Sequence, residues 1–381
     1  MTKKITIGTF ECTDQDIEYV AKALKSNMIS VGPELHEFER QVSSYHSKKY
    51  GCMVNSGQSA IEVAIEAYKN TVNLPRRLFV LMPSTTYAAT LWAIIKSDCI
   101  PIFCDIDENY VIDYHEADTM LSNQKIDILL PVDLCGYSAE PPQWFKKKYP
   151  SLFIIQDACE AFGNQDAVYG DIVCHSFYVS HIITTGAGGM LSYNSDAVDE
   201  FVRSFIAHGR SIGGDFTKFT NEWVDRFLFN KIGASYRSDN IAAALGLSQM
   251  ARLDSIIAQR KRNAKTLVEM YEESSVLKPY FTFPDLAYVK KSVFQFFPVM
   301  IEESIERSEF LKYLFEKGID SRVLLSLTNQ PAVIDKYGEI EHLYPKSQEV
   351  NNFGFIIGCH QGLSIDDMRY IIEVFTEYIE R

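Results

Sequence analysis

The sequence predicts an α/β protein in which a large unit built on a mainly parallel sheet (residues 1–250) precedes a smaller C-terminal α/β unit (251–381). Three observations predict it. Short apolar runs bounded by turn residues alternate with stretches of helical periodicity, an order that calls for a mainly parallel sheet with helices on both faces. The small, polar and acidic residues collect where those runs end, which is where an open α/β sheet binds ligands. A second, shorter strand–helix–strand–strand–helix series begins after SSVLKPYFTFPD.

The elements follow in order. Thr13 and Asp16 form a capping box ahead of a helix whose apolar positions are Ile17, Val20, Ala21 and Leu24. A second helix runs over 35–45. YGCMVN reads as a strand leading into the helix SGQSAIEVAIEAYKN, and RLFVLMP as one leading into TYAATLWAIIKS. IPIFCDI and IDILLPVDL are further strands. A short helix over 142–148 separates them from SLFIIQD, IVCHSFY and GGMLSYN. From 199 to about 237 the chain is rich in aromatics and weakly periodic, and one continuous helix is expected over 239–274. The second series reads VFQFFPVMI, SIERSEFLKYLFEKG, IDSRVLL, GFIIGCH and SIDDMRYIIEVFTEYI.

Bulk properties exclude several classes. A formal net charge of −13 argues against a nucleic-acid groove or an anionic membrane surface as partner. The one basic run, Lys146 to Lys148, reads as the solvated end of a helix. The eight cysteines contain no CxxC pair and several lie inside apolar runs, so they read as small buried residues of a reducing, cytoplasmic compartment, with no metal or iron–sulfur site. The N-terminus carries no apolar signal region, and no stretch approaches membrane-spanning length.

Four stretches carry candidate chemistry. In VNSGQSA a strand ends, Gly57 permits a tight turn, and Gln58 opens a helix whose free N–H groups suit a phosphate. Neither a GxGxxG nor a GxxxxGK[ST] is present. In PSTTYAAT, Tyr87 either stacks on a planar ring or packs in the core. In IIQDACEAFG, Asp157 ends an apolar strand, where it serves either as a helix N-cap or as the partner of a pyridinium N–H. In SFYVSHIITTGAGGM, Ser176 and the glycines suit a phosphate-holding turn, whereas His181 suits proton transfer near neutral pH.

Together these stretches, with ISVGPELHEFERQVSSYHSKKYGCMVNSGQSA, PVDLCGY, IGASYRSDNIAAALGLSQMARLD and IIGCHQGLS, resemble the DegT/DnrJ/EryC1/StrS sugar aminotransferase family over nearly the whole chain. The resemblance implies an aspartate-aminotransferase-like fold and pyridoxal 5′-phosphate (or pyridoxamine 5′-phosphate) as cofactor. It implies that Gly57, Gln58 and Ser176 hold the phosphate, Tyr87 stacks on the ring, Asp157 pairs with its nitrogen, and Glu160 lies near its hydroxyl. It further implies a homodimer with shared active sites, reached by Arg237 and its neighbours. Ser235 departs there from the family's usual Asn.

The largest departure is His181, which stands where the family has its Schiff-base lysine. No lysine occurs between Lys148 and Lys218. Histidine at that position resembles the branch of coenzyme-B6-dependent 3-dehydratases acting on nucleotide-linked 4-keto-6-deoxy sugars. The members without an iron–sulfur cluster are the better match, since their clustered cysteines are missing here. That branch implies a non-covalently held cofactor, His181 as acid and base, and glutamate as amino donor. The competing readings are an aminotransferase that lacks its lysine and an inactive cofactor-binding homologue. Residues recognising the nucleotide and sugar are expected over 209–229 and 326–344.

Overall fold

The apolar runs assemble into two sheets in the computed structural model, which describes residues 4–211, 227–324 and 326–381. The larger sheet contains β1 (Tyr50–Val54), β2 (Phe79–Pro83), β3 (Ile100–Cys104), β4 (Ile128–Leu129), β5 (Phe153–Asp157), β6 (Ile172–Ser176) and β7 (Gly189–Tyr193). Their order is β1-β7-β6-β5-β4-β2-β3. The pairings from β3 to β6 are parallel, and β7 alone runs antiparallel to both of its neighbours. The expected mainly parallel sheet is therefore present. β6 and β7 are buried at every position, as central strands covered on both faces are.

The N-terminal helices α1 (Asp14–Lys25) and α2 (Pro33–Tyr45) pack on α8 (Asn240–Met250). The capping box holds: the Thr13 amide donates to Asp16 Oδ2 at 2.8 Å, and the Asp16 amide donates to Thr13 Oγ1 at 3.3 Å. The apolar stripe expected on α1 does not face the core. Ile17 and Leu24 are 59% and 50% exposed, while Asp16 and Ala23 are buried. Asp16 turns inward because three partners from the chain near residue 250 satisfy it. Ser248 Oγ donates to Oδ1 at 2.7 Å, Gln249 Nε2 to Oδ1 at 3.0 Å, and Arg252 Nη2 to Oδ2 at 2.7 Å.

The same ion pair accounts for one correction. The continuous helix expected over 239–274 is two helices, α8 and α9 (Leu253–Glu273), bent by 59°. Arg252 lies at the break, with its guanidinium on Asp16 and Thr13. Helical periodicity continues through the bend, so the sequence pattern alone did not mark it. A helix not foreseen, α7 (Asp196–Phe205), capped by Ser195, runs into the stretch from 199 that reads as weakly periodic. The rest of that aromatic-rich region, 212–226, and with it most of the recognition loop expected over 209–229, lies outside the described residues.

The smaller sheet, in the order β10-β11-β9-β8, joins β8 (Phe281–Thr282), β9 (Phe297–Ile301), β10 (Ser321–Val323) and β11 (Gly354–Ile357) in antiparallel pairs. The expected strand and helix series is present, with α11 (Arg307–Glu316) after β9 and α14 (Ile365–Ile379) at the end. Two helices not foreseen, α12 (Pro331–Tyr337) and α13 (Pro345–Phe353), fall between β10 and β11. α13 fastens this unit to the large sheet. Asp105, just past β3, accepts from the amides of Lys346 and Ser347 at 2.8 Å each. Thr85 Oγ1 donates to Ser347 Oγ at 2.8 Å, and the Leu327 amide to the Ser84 carbonyl at 2.9 Å. Among the described residues no single helix is long and apolar enough to cross a membrane.

Asp16 offers a test of this packing. Burial opposes its ionisation, but hydrogen bonds led by Ser248, with Thr13 and Arg252, outweigh that and hold its carboxyl down at about 2. Removing one partner of such a buried pair leaves Arg252 uncompensated, so Asp16→Ala is expected to cost about 3 kcal/mol. A depressed carboxylate contributes above its unfolded pKa of about 4 and loses that contribution as pH falls through its folded value. The gap in thermal melting between variant and parent should therefore shrink from about pH 4 toward pH 2.

Candidate active site

The site begins where α3 (Gly57–Val72) starts at the end of β1. Ser56 caps this helix, its hydroxyl accepting from the Ser59 amide at 3.1 Å. The Gly57 and Gln58 amides in the first turn are thereby left for an anionic ligand. Gly57 faces the end of β6, where a Cβ would stand 2.8 Å from both Ser176 Cβ and Cys159 Sγ. Gly189 supports the turn from β7, since a Cβ there would come within 2.7 Å of the Gly57 nitrogen. The Gln58 side chain donates along the helix to Glu62 at 2.7 Å, so its backbone is the part that faces the turn.

Asp157 ends β5 beside this cradle and is 3% exposed. Its Oδ2 accepts from Thr90 Oγ1 at 2.8 Å and its Oδ1 from the Cys159 amide at 3.2 Å. A turn rather than an α-helix follows it, so the helix N-cap reading falls. Burial pushes this carboxyl up, against the hydrogen bonds from Cys159 and Thr90. Thr90 lies in the first turn of α4 (Ala88–Lys96), one turn after Tyr87, and its amide donates to the Tyr87 carbonyl at 3.2 Å. Tyr87 itself is 75% exposed, which removes the core-packing reading. Glu160 follows at the turn, with Oε2 accepting from the Cys135 amide at 2.7 Å. Burial, partly offset by that bond, pushes Glu160 up to about 7.

His181 stands in the connection between β6 and β7. Phe177 is fully buried between Phe38 and Phe162, with ring centroids 5.2 Å apart in each pair, and pins the chain leaving β6. The base of the loop is closed by the Phe177 amide on the Gly188 carbonyl at 2.9 Å and the Thr185 amide on the Phe177 carbonyl at 3.0 Å. Thr184 Oγ1 donates to the Phe177 carbonyl at 3.0 Å and accepts from the Gly186 amide at 2.9 Å. Gln295 reaches from the C-terminal unit, its Nε2 donating to the Ser180 carbonyl. The His181 Nδ1 is buried without a hydrogen-bond partner. Burial, then the nearby Arg260 guanidinium, pushes this imidazole down to about 4. Arg260 is wholly buried on α9, where its Nη1 donates to the carbonyls of Phe294 at 3.0 Å and Gln295 at 3.2 Å.

The structure thus brings Gly57, Gln58, Tyr87, Asp157, Glu160, Ser176 and the His181 loop to one end of the large sheet. Ser235 and Arg237 lie at its edge beside β1, where the Asn55 amide donates to the Tyr236 carbonyl at 2.8 Å. Ser235 is exposed, and Arg237 stands 3.4 Å from His208 Nε2. Three supporting residues escaped sequence reasoning. Thr90 was signalled by its place three residues after Tyr87 on a helix, but Gln295 and Arg260 are distant in sequence and only folding brings them near the loop. The donor set fits a phosphorylated pyridine: a cradle that excludes any Cβ, a buried carboxylate, and an imidazole with an orphaned nitrogen.

A side chain at Gly57 must displace Ser176 or Cys159 and with them the cradle. Gly57→Val is expected to weaken retention of pyridoxal phosphate at least about tenfold. Titration followed by the absorbance of the bound chromophore measures this, with far-UV circular dichroism confirming the fold.

The model of the DegT/DnrJ/EryC1/StrS aminotransferase family matches residues 11–376. GDP-perosamine synthase of Escherichia coli O157:H7 is 27% identical over 395 residues, spanning 99% of both chains. GDP-4-keto-6-deoxy-D-mannose 3-dehydratase of Yersinia pseudotuberculosis is 24% identical, spanning 91% of this chain and 92% of its own. A solved structure of the E. coli GDP-4-keto-6-deoxy-D-mannose 3-dehydratase with bound hydrated pyridoxal phosphate superposes with a TM-score of 0.85 at 20% identity, covering 98% of this chain and 100% of that one. The chain belongs to the DegT/DnrJ/EryC1/StrS aminotransferase family.

Proposed function

We propose that this protein is a coenzyme-B6-dependent 3-dehydratase that removes the C3 hydroxyl of a nucleotide-linked 4-keto-6-deoxy sugar. One observation carries the reading: a histidine, His181, stands in the β6–β7 loop where the family resemblance places the Schiff-base lysine, and no lysine lies between Lys148 and Lys218 to replace it. An imidazole forms no covalent link to the cofactor aldehyde, yet it accepts and returns a proton. The cofactor is then held without a covalent bond.

When bound, pyridoxamine phosphate supplies an amine that condenses with the C4 ketone and a conjugated ring that takes up an electron pair. The chain's own residues do the rest. The Gly57 and Gln58 amides and the Ser176 hydroxyl bind the phosphate. Tyr87 covers a ring face, Asp157 holds the proton on the ring nitrogen, and Glu160 lies beside the ring hydroxyl. His181 is neutral at physiological pH because burial and Arg260 disfavour its cation. Its Nδ1 is shut away, so Nε2 is the nitrogen that takes a proton and later gives it back. Glutamate restores the amine form afterwards.

Other features support the finer points. Exposed apolar side chains cluster on and just after α1, with Ile17, Leu24, Met28 and Ile29 between 46% and 59% exposed, which suits a homodimer that Ser235 and Arg237 help to complete. The bend between α8 and α9 is where we divide the cofactor-binding unit, 1–250, from the C-terminal one, 251–381. Eight unpaired cysteines suit a cytoplasmic location. A second reading, amine transfer onto the keto sugar, is favoured by the GDP-perosamine synthase relative, the more similar of the two curated proteins by identity.

Incubation with pyridoxamine phosphate, glutamate and a panel of nucleotide-linked 4-keto-6-deoxy sugars separates the two readings by mass. Dehydration loses the oxygen at C3, whereas transfer gains an amine at C4. His181→Asn is expected to lower dehydration by a factor on the order of 10²–10⁴, and undiminished dehydration in that variant would sink the assigned role. His181→Lys should trap the cofactor as a borohydride-reducible adduct and shift the product toward the amino sugar.

The pH profile provides a further check. A base works only when deprotonated, so a group held at about 4 remains competent well below the ordinary histidine value. The acid limb of kcat/KM is expected nearer pH 4 than about 6.5.

A further inference from the structure

A chamber of about 330 Å³ opens on His181, enclosed by four separate segments. They are the N-terminal stretch with Thr9 and Glu11, the β6–β7 loop, the α8–α9 bend, and Gln361 beyond β11. The N-terminal stretch is fixed there by the C-terminal unit. The Ile5 amide donates to the Gly318 carbonyl at 2.9 Å, and His360 Nε2 lies 3.0 Å from the Thr6 carbonyl.

Most polar groups around the chamber are already engaged. Arg252 is held by Asp16 and Thr13, Gln249 donates to Asp16 at 3.0 Å, and Gln259 donates to Asn263 at 2.8 Å. Three side chains are not. The Gln361 Oε1 is buried without a partner, and Glu11 and the Thr9 hydroxyl make no hydrogen bond or ion pair among the described residues. A buried unsatisfied oxygen is costly and calls for a donor. Glu11 and Gln361 Oε1 both accept hydrogen bonds, so the missing partner must present donors. Glu11 is also the only uncommitted charge on the chamber's lining among the described residues, which disfavours a dicarboxylate such as glutamate. The volume lies at the small end of ligand pockets, about 300–1,000 Å³, and suits one sugar ring rather than a nucleotide with it.

We propose that this chamber is the subsite for the sugar ring, in which Glu11 and Gln361 accept hydrogen bonds from ring hydroxyls and thereby select the sugar. The assignment rests on the reading of the chain as an enzyme of nucleotide-linked sugars. It adds two specificity-determining residues, one near each end of the chain, outside the segments where sequence reasoning expected recognition.

Calorimetry with unreactive probes tests it apart from any chemistry. GDP-, UDP- and dTDP-linked hexoses, which carry no ketone, are titrated into the cofactor-loaded protein alongside the bare nucleotides. The preferred nucleotide should bind more tightly with its hexose than without. Glu11→Gln and Gln361→Leu should each reduce that advantage about tenfold, the scale of one hydrogen bond to a charged or buried group. Neither should change the affinity for the bare nucleotide. An unchanged hexose advantage in both folded variants overturns the subsite and leaves the enzyme assignment standing. Absence of binding by every nucleotide-linked hexose overturns the enzyme reading with it. Glutamate affinity should be equal in parent and variants, and a tenfold loss there would assign the chamber to the amino donor and overturn the proposal.

Discussion

The contact on which the site depends is the approach of the first turn of α3 to the ends of β6 and β7. Gly57 sits where a Cβ would collide with Ser176 and Cys159, and Gly189 where one would collide with the turn's own backbone. Two strands and a helix N-terminus therefore meet at separations that only glycine permits. A phosphate seated on those amides is fixed relative to Ser176 and, through the adjacent strand, to Asp157. The same contact places the loop that carries His181, because that loop leaves β6 one residue after Ser176 and returns at Gly189. Gly57, Ser176, Asp157 and the loop of His181 are positioned from one junction.

Electrostatics at this junction follow from burial acting on groups of opposite kind. Desolvation disfavours charge, so it raises Asp157 and Glu160 and lowers His181. Asp157 resists this through Thr90 and the Cys159 amide, which favour the carboxylate. A cationic ring nitrogen would favour it further. His181 has no such partner, and the neighbouring Arg260 works in the same direction as burial. The roles proposed for them, Asp157 holding a proton on the ring and His181 receiving one, draw on these tendencies. These opposed tendencies are what acid–base chemistry at neutral pH requires.

Much of this was legible in the sequence, for physical reasons that differ by residue. Glycine at 57 and aspartate at 157 are short-range signals: one marks a turn at the start of a helix, the other a carboxylate at the end of an apolar strand. The parallel sheet was legible because buried strands are near-continuous apolar runs. The failures have a common origin in long-range contacts. The break at Arg252 depends on Asp16, which is distant in sequence and closes a capping box as well. The exposed stripe on α1 has the periodicity of a buried one, and periodicity does not say which surface covers it. Gln295 and Arg260 support the His181 loop from elements that come close only in the folded chain. Glu11 and Gln361 stand at opposite ends of the sequence.

The loop itself shows why one substitution can redirect the chemistry without disturbing the frame. Its closure relies on Phe177 packed between two rings, on Thr184 and Thr185, on the backbone of Gly186 and Gly188, and on Gln295 holding Ser180. None of these contacts uses the side chain at position 181. That side chain is presented to the site by contacts that do not include it. Lysine and histidine differ there as chemistry. An amine captures the cofactor's aldehyde and keeps it for the next round of amine transfer. An imidazole moves the same proton and leaves the aldehyde free. On the proposed reading, this one side chain turns a transaminating frame toward removal of a hydroxyl.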